Sequence, residues 1–146
     1  MREQLIHRTV VQHLEFRAVP GCFWFHVGNG GYRRPIEGNI FKGLGVKAGI
    51  PDLILIRNGS VFGLELKADR GRLTRAQAAA HQQMRDAGVV VETAVGLDQA
   101  LDILEGWALL VGKANVSPGD THGREGDGHQ QKKDIPVFAI PIEPSR

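Results

Sequence analysis

Leu5, Ile6, Thr9, Val10, His13 and Leu14 recur at helical spacing, with Arg, Gln and Glu between them, so residues 2–17 predict an amphipathic helix that Pro20-Gly21 ends. Residues 22–27, Cys-Phe-Trp-Phe-His-Val, predict a short strand. Residues 35–50 hold Gly38, Gly43, Gly45 and Gly49 without a clean period, and predict a loop with a helical turn at 39–44. The pattern then changes. Two apolar runs within residues 49–67 flank Asn58-Gly59, a dipeptide that tolerates the positive φ angles of a type I′ turn and so predicts a β-hairpin. Thr74 begins a second helix that runs to about Ala87, with Gln77 at the reciprocal position of a capping box and Gly88 as its stop. Residues 89–94 predict a strand, 97–104 an amphipathic helix, and Trp107–Val111 a segment that closes the core or covers a partner's surface.

The turn fixes the register of the hairpin. With Asn58 and Gly59 as the loop residues, Arg57 pairs with Ser60 and Asp52 falls opposite Glu65. Leu53, Leu55, Phe62, Leu64 and Leu66 share one face; Ile54, Ile56 and Val61 share the other. A ribbon apolar on both faces belongs inside a sheet covered by helices. Lys67 lies two residues past Glu65 and points the same way. Two acids and a lysine therefore converge at one end of an apolar ribbon. A salt bridge from Lys67 to either acid compensates one carboxylate and leaves the other; a metal cation between them compensates both. Strand–helix–strand from 61–67 to 89–94 implies a parallel crossover, hence an α/β fold.

Pro51-Asp52 followed by Glu65-Leu66-Lys67 resembles the P-D…(D/E)-x-K signature of restriction-like nucleases. The longer string is more specific: G-I-P-D-L at 49–53, L-E-L-K at 64–67, Gly71-Arg72-Leu73-Thr74, Gln77 and Gly88-Val89. It resembles the virus-type replication-repair nuclease domain, VRR-NUC, over roughly residues 1–105. The resemblance implies a restriction-endonuclease-like core, a mixed central sheet flanked by helices. It also implies catalytic roles for Asp52, Glu65, Lys67 and Gln77, and Mg2+ or Mn2+ held by Asp52, Glu65 and the Leu66 carbonyl. A glutamate on the first helix joins the metal site in the family, and Glu3 is the match, with Glu15 the weaker one. A first-turn glutamate is also what the helix dipole favours. Gln77 has two competing jobs, back-bonding to the Thr74 amide and reaching the site.

Net charge is +2, which permits nucleic-acid binding without demanding it. The single cysteine, Cys22, excludes an intrachain disulfide and suits a reducing cytosol; no apolar run reaches membrane-spanning length. These features predict a cytoplasmic protein of a bacterial or phage-infected cell, with no membrane partner. Residues 1–111 read as the nuclease domain, 112–134 as a flexible polar tail, and 135–146 as an apolar segment suited to docking or to an edge strand.

Oxygen ligands without a paired His or Cys favour magnesium or manganese over zinc. Such an ion polarises a phosphodiester and lowers the pKa of water, while Lys67 balances developing charge. For DNA contacts the residues named are Asn29, Arg33, Arg34, Lys42, Lys47, Arg70, Arg72 and Arg75, which crowd glycine-rich or basic stretches beside the acids. The expected activity is metal-dependent DNA endonuclease cleavage. By resemblance it is selective for four-way junctions or other branched DNA, acts as a homodimer, and serves phage or prophage replication, recombination or repair. The alternatives are an endonuclease without junction preference and a non-catalytic DNA-binding module.

Overall fold

The computed structural model describes residues 2–28 and 40–112. In order, it contains helix α1 (Glu3–Arg17), strand β1 (Phe23–His26), strands β2 (Leu53–Arg57) and β3 (Ser60–Lys67), helix α2 (Arg75–Asp86), strand β4 (Val90–Val95) and helix α3 (Leu97–Gly106). Residues 40–43 form a short helical turn ahead of β2. The four strands make one mixed sheet in the order β1-β2-β3-β4. The first three are antiparallel and β4 runs parallel to β3, as the strand–helix–strand pattern requires.

The hairpin has the register dictated by its turn. Asn58 and Gly59 have φ of 49° and 76°, the positive values a type I′ turn needs, and Arg57 pairs with Ser60, Leu55 with Phe62 and Leu53 with Leu64. One face of the sheet carries the main core. Ile6, Val10 and Leu14 from α1 and Ala100 and Leu104 from α3 pack against Leu53, Leu55, Leu64, Leu66 and Ala94. Leu109 and Leu110 complete this core after α3, so the Trp107–Val111 segment closes it from within the chain. An Ala18–Leu110 bridge and the Arg17–Glu105 ion pair tie the end of α1 to this segment and to α3.

The opposite face is covered unevenly. Helix α2 lies over its β3–β4 half, where Met84 approaches Gly63. At the other end the edge strand β1 leaves Phe23 and Phe25 exposed. The expectation of a ribbon covered on both faces therefore holds for β3 and only in part for the β1–β2 side. Helix α1 also buries a narrower stripe than its pattern suggested, since Leu5 is exposed. No helix among the described residues is long and apolar enough to cross a membrane. The expectations for residues 113–146 lie outside the described residues.

Candidate active site

Continuing the hairpin register one step beyond Leu53–Leu64 sets Asp52 opposite Glu65. Counting from the turn, this is a non-hydrogen-bonded position, where facing Cα atoms stand only about 4.5 Å apart. The regular ladder ends at Leu53–Leu64, and Pro51 turns over Gly63. The Leu66 amide donates to Oδ2 of Asp52 at 2.8 Å.

Glu65 is 1% exposed and holds the centre of the cluster. Its Oε1 receives Lys67 Nζ at 2.8 Å and Nε2 of Gln77. Burial raises the Glu65 carboxyl above the ordinary carboxylate range; the Lys67 hydrogen bond opposes this and the Asp52 and Glu3 charges add to it. Burial pulls the Lys67 ammonium down, but its hydrogen bond to Glu65 and the Glu65, Glu3 and Asp52 charges outweigh that and leave it raised. The pair is therefore an ionised Lys67 beside a carboxyl that resists ionisation. Lys67 makes its direct ion pair with Glu65. Among the described residues Asp52 has no salt bridge and takes a backbone amide instead.

Helix α2 supplies the rest of the Glu65 surroundings. Thr74 and Gln77 form both halves of the capping box: Thr74 Oγ1 accepts from the Gln77 amide at 3.2 Å, and Gln77 Oε1 accepts from the Thr74 amide at 2.9 Å. The two jobs expected to compete for Gln77 are done at once, because an amide has an acceptor for the cap and a donor for Glu65. Gly49 lets the chain entering Asp52 pass against this helix. It has φ of 81°, and a Cβ there would stand 2.4 Å from the Ala76 carbonyl oxygen.

One helical turn past Gln77, His81 is fully buried with Nε2 3.8 Å from Oε2 of Glu65. Burial, then the charges of Arg85 and Lys67, lower its pKa. Sequence reading passed over His81; its place four residues after Gln77 on a predicted helix was the available signal.

On the other side of Asp52 an open cleft of about 460 Å³ is lined by Glu3, Gln4, His7, Arg8, His26 and Asp52. The first turn of α1 thus brings Glu3 to the aspartate, whereas Glu15 is exposed farther along that helix and does not line the cleft. His7 and His26 meet edge to face at 4.4 Å, and Nδ1 of His26 bonds the Asp52 carbonyl at 2.8 Å. Burial and the neighbouring His26 lower the His7 pKa. Neither histidine stood out in the sequence, because only the sheet order brings α1 beside β1.

Lys42, Lys47, Arg70, Arg72 and Arg75 are all exposed, and Arg70 adopts a φ of 67° just beyond Lys67. Asn29, Arg33 and Arg34 lie outside the described residues.

The donor set fits a hard divalent cation. Asp52 and Glu65 offer carboxylate oxygens, Leu66 a backbone carbonyl, and Oε2 of Glu65 is a buried acceptor with no hydrogen-bond partner. Leaving such an atom unmade costs about 1–3 kcal/mol. Among the described residues no three His, Cys, Asp or Glu side chains group closely enough to hold a metal, so Glu3 does not complete a three-acid cage. Magnesium suits the smaller set, since it keeps several waters and needs one or two protein carboxylates.

No family model matches the sequence, and neither does any curated protein. Solved structures do match. One described as "VRR_NUC domain protein" is 23% identical, covers 75% of this chain and 90% of its own, and superposes with a TM-score of 0.63. A second, "VRR_NUC domain", is 19% identical, covers 73% of this chain and 98% of its own, and gives a TM-score of 0.51. The four-stranded mixed sheet with its flanking helices is thus the restriction-endonuclease-like fold of the VRR_NUC domain proteins.

Proposed function

We propose that this chain is a divalent-metal-dependent DNA endonuclease that hydrolyses phosphodiester bonds, with Asp52, Glu65 and Lys67 at its centre. The observation that carries the reading is the meeting of two carboxylates and a buried ammonium at one end of the β2–β3 hairpin. A sheet gains no stability from opposed acids. Asp52, Glu65 and the Leu66 carbonyl would hold Mg2+ or Mn2+, which when bound acts as a Lewis acid toward the phosphodiester and lowers the pKa of water. The chain's own groups do the rest. Lys67 places a positive charge where the phosphoryl group gathers negative charge. Gln77 orients Glu65. Exposed Lys42, Lys47, Arg70, Arg72 and Arg75 supply cations for the DNA backbone.

The substrate is branched DNA, a four-way junction foremost, cut by a homodimer during replication, recombination or repair. The exposed Phe23 and Phe25 of the edge strand offer an apolar surface of the kind that pairing buries.

The test is a cleavage panel of junction, flap, duplex and single-stranded DNA with Mg2+, with Mn2+ and with EDTA, run beside the solution mass. Cleavage should need the metal and favour the junction. Asp52→Ala and Lys67→Ala should lose at least 100-fold in rate with wild-type circular dichroism. Full activity in either folded variant removes the catalytic assignment, and equal cutting of plain duplex removes the junction preference.

A further inference from the structure

Among the described residues, three buried side-chain polar atoms lack a hydrogen-bond partner, and all three lie in one place: Oε2 of Glu65 and both ring nitrogens of His81. Protein interiors leave few such atoms unmade, and each asks for an explanation. The imidazole is 0% exposed, so bulk water does not satisfy it. Its Nε2 stands 3.8 Å from Oε2, just beyond hydrogen-bond reach and too near for a water to sit between. The other carboxylate oxygen is already held by Lys67 and Gln77. Gln77 and His81 are four residues apart on α2, so they share the side of the helix that faces Glu65.

We propose that His81 is a positioning residue for this site: its Nε2–H donates to Oε2 of Glu65, so that α2 grips both oxygens of the carboxylate, Gln77 on one and His81 on the other. The inference deepens the nuclease reading and rests on Glu65 being a functional carboxylate. Closing the gap takes less than an ångström of side-chain movement. The terminal torsion of a glutamate is broad, and a second donor fixes it. An ionised carboxylate has about four acceptor sites, so the three donors that would then hold it leave one lone pair, on Oε2, for a cation. Groups of this kind, behind a metal-binding side chain, set its orientation.

The experiment compares the full chain with His81→Leu, which fills the pocket without an N–H, and His81→Gln, which returns an N–H near the place of Nε2. Three quantities are read: thermal midpoint, Mn2+ affinity by calorimetry, and cleavage of junction DNA. His81→Leu should fold, bind Mn2+ about 10–100-fold more weakly, and lower kcat with KM unchanged. His81→Gln should recover most of both losses. Wild-type affinity and rate in His81→Leu, or no recovery in His81→Gln, would leave His81 a packing residue and overturn the proposal. Should His81→Leu fail to fold, nitrogen NMR of the wild-type imidazole decides. A slowly exchanging Nε2 proton that shifts in Glu65→Gln supports the bond; a bare Nε2 refutes it. If the wild type cuts no DNA, the nuclease reading falls, while ion affinity and the imidazole resonance still judge His81.

Discussion

Changing Gln77 to glutamate separates the two tasks that this side chain performs. The acceptor that caps α2 is kept, because a glutamate oxygen can take the Thr74 amide as Oε1 does now. The donor to Glu65 is replaced by a second carboxylate oxygen facing a buried one. Two unit charges about 4 Å apart repel by about 4 kcal/mol at an effective dielectric constant near 20. Gln77 is only half-buried and its replacement can swing aside, so about 2 kcal/mol is the expected loss. The loss depends on pH, and its sign follows from Glu65. Burial already raises that carboxyl above its unfolded value of 4.5, and a neighbouring acid raises it further. A raised carboxyl leaves stability intact below the unfolded value and erodes it as pH climbs through the folded one. Metal-free Gln77→Glu should therefore come nearest the wild type at pH 4.5 and below, where a protonated carboxyl still offers an O–H donor to Glu65. By pH 8 it should trail by about 2 kcal/mol, or about 8 °C in Tm for a domain of this size. Gln77→Ala should lose about 1–2 kcal/mol at both pH values, since it forfeits the cap and the donor without adding charge. Thermal melts by circular dichroism in EDTA measure this directly. If Gln77→Glu and the wild type stay level from pH 4.5 to 8, Gln77 does not bear on a buried, ionisable Glu65.

The remaining two predictions are also read as stability. Gly49→Ala should cost about 2–5 kcal/mol in urea unfolding, because the methyl group meets the Ala76 carbonyl and alanine disfavours a φ of 81°; a loss under about 1 kcal/mol would mean that α2 and the Asp52 segment slide apart freely. In metal-free buffer Glu65→Gln should gain on the wild type as pH rises from 5 to 8, since the raised carboxyl is gone. The lowered His7 and His81 work in the opposite direction, losing stability as pH falls; His7 cancels in the comparison, whereas His81 faces Glu65 and does not. Parallel curves for the two proteins would refute it.

The hairpin was readable from sequence because its information is local. Asn58-Gly59 sets the turn, the turn sets the register, and the register sets Asp52 against Glu65. The capping box at Thr74 and Gln77 was legible for the same reason. What escaped reading depended on packing between elements. His81 is an ordinary helix residue until α2 is laid over β3, and His7 and His26 meet only once α1 stands beside β1. Gln77 looked forced to choose because a pattern of letters does not show that the two ends of an amide point in different directions. The apolar letters of β1 likewise gave no warning that Phe23 and Phe25 face outward on an edge.

The two-residue bend has a bearing on how this chain can drift. Asp52 and Glu65 stand equally far from it, one on each arm of the ribbon. A single residue inserted into or deleted from either arm would turn one acid to the far side of the sheet, while its partner stayed where it was. Lengthening is tolerable only when both arms grow together, or when the change is absorbed by a bulge. The long stretch before Gly49 and the segment after Lys67 carry no such bookkeeping, so variation in length is cheap there and ruinous in between.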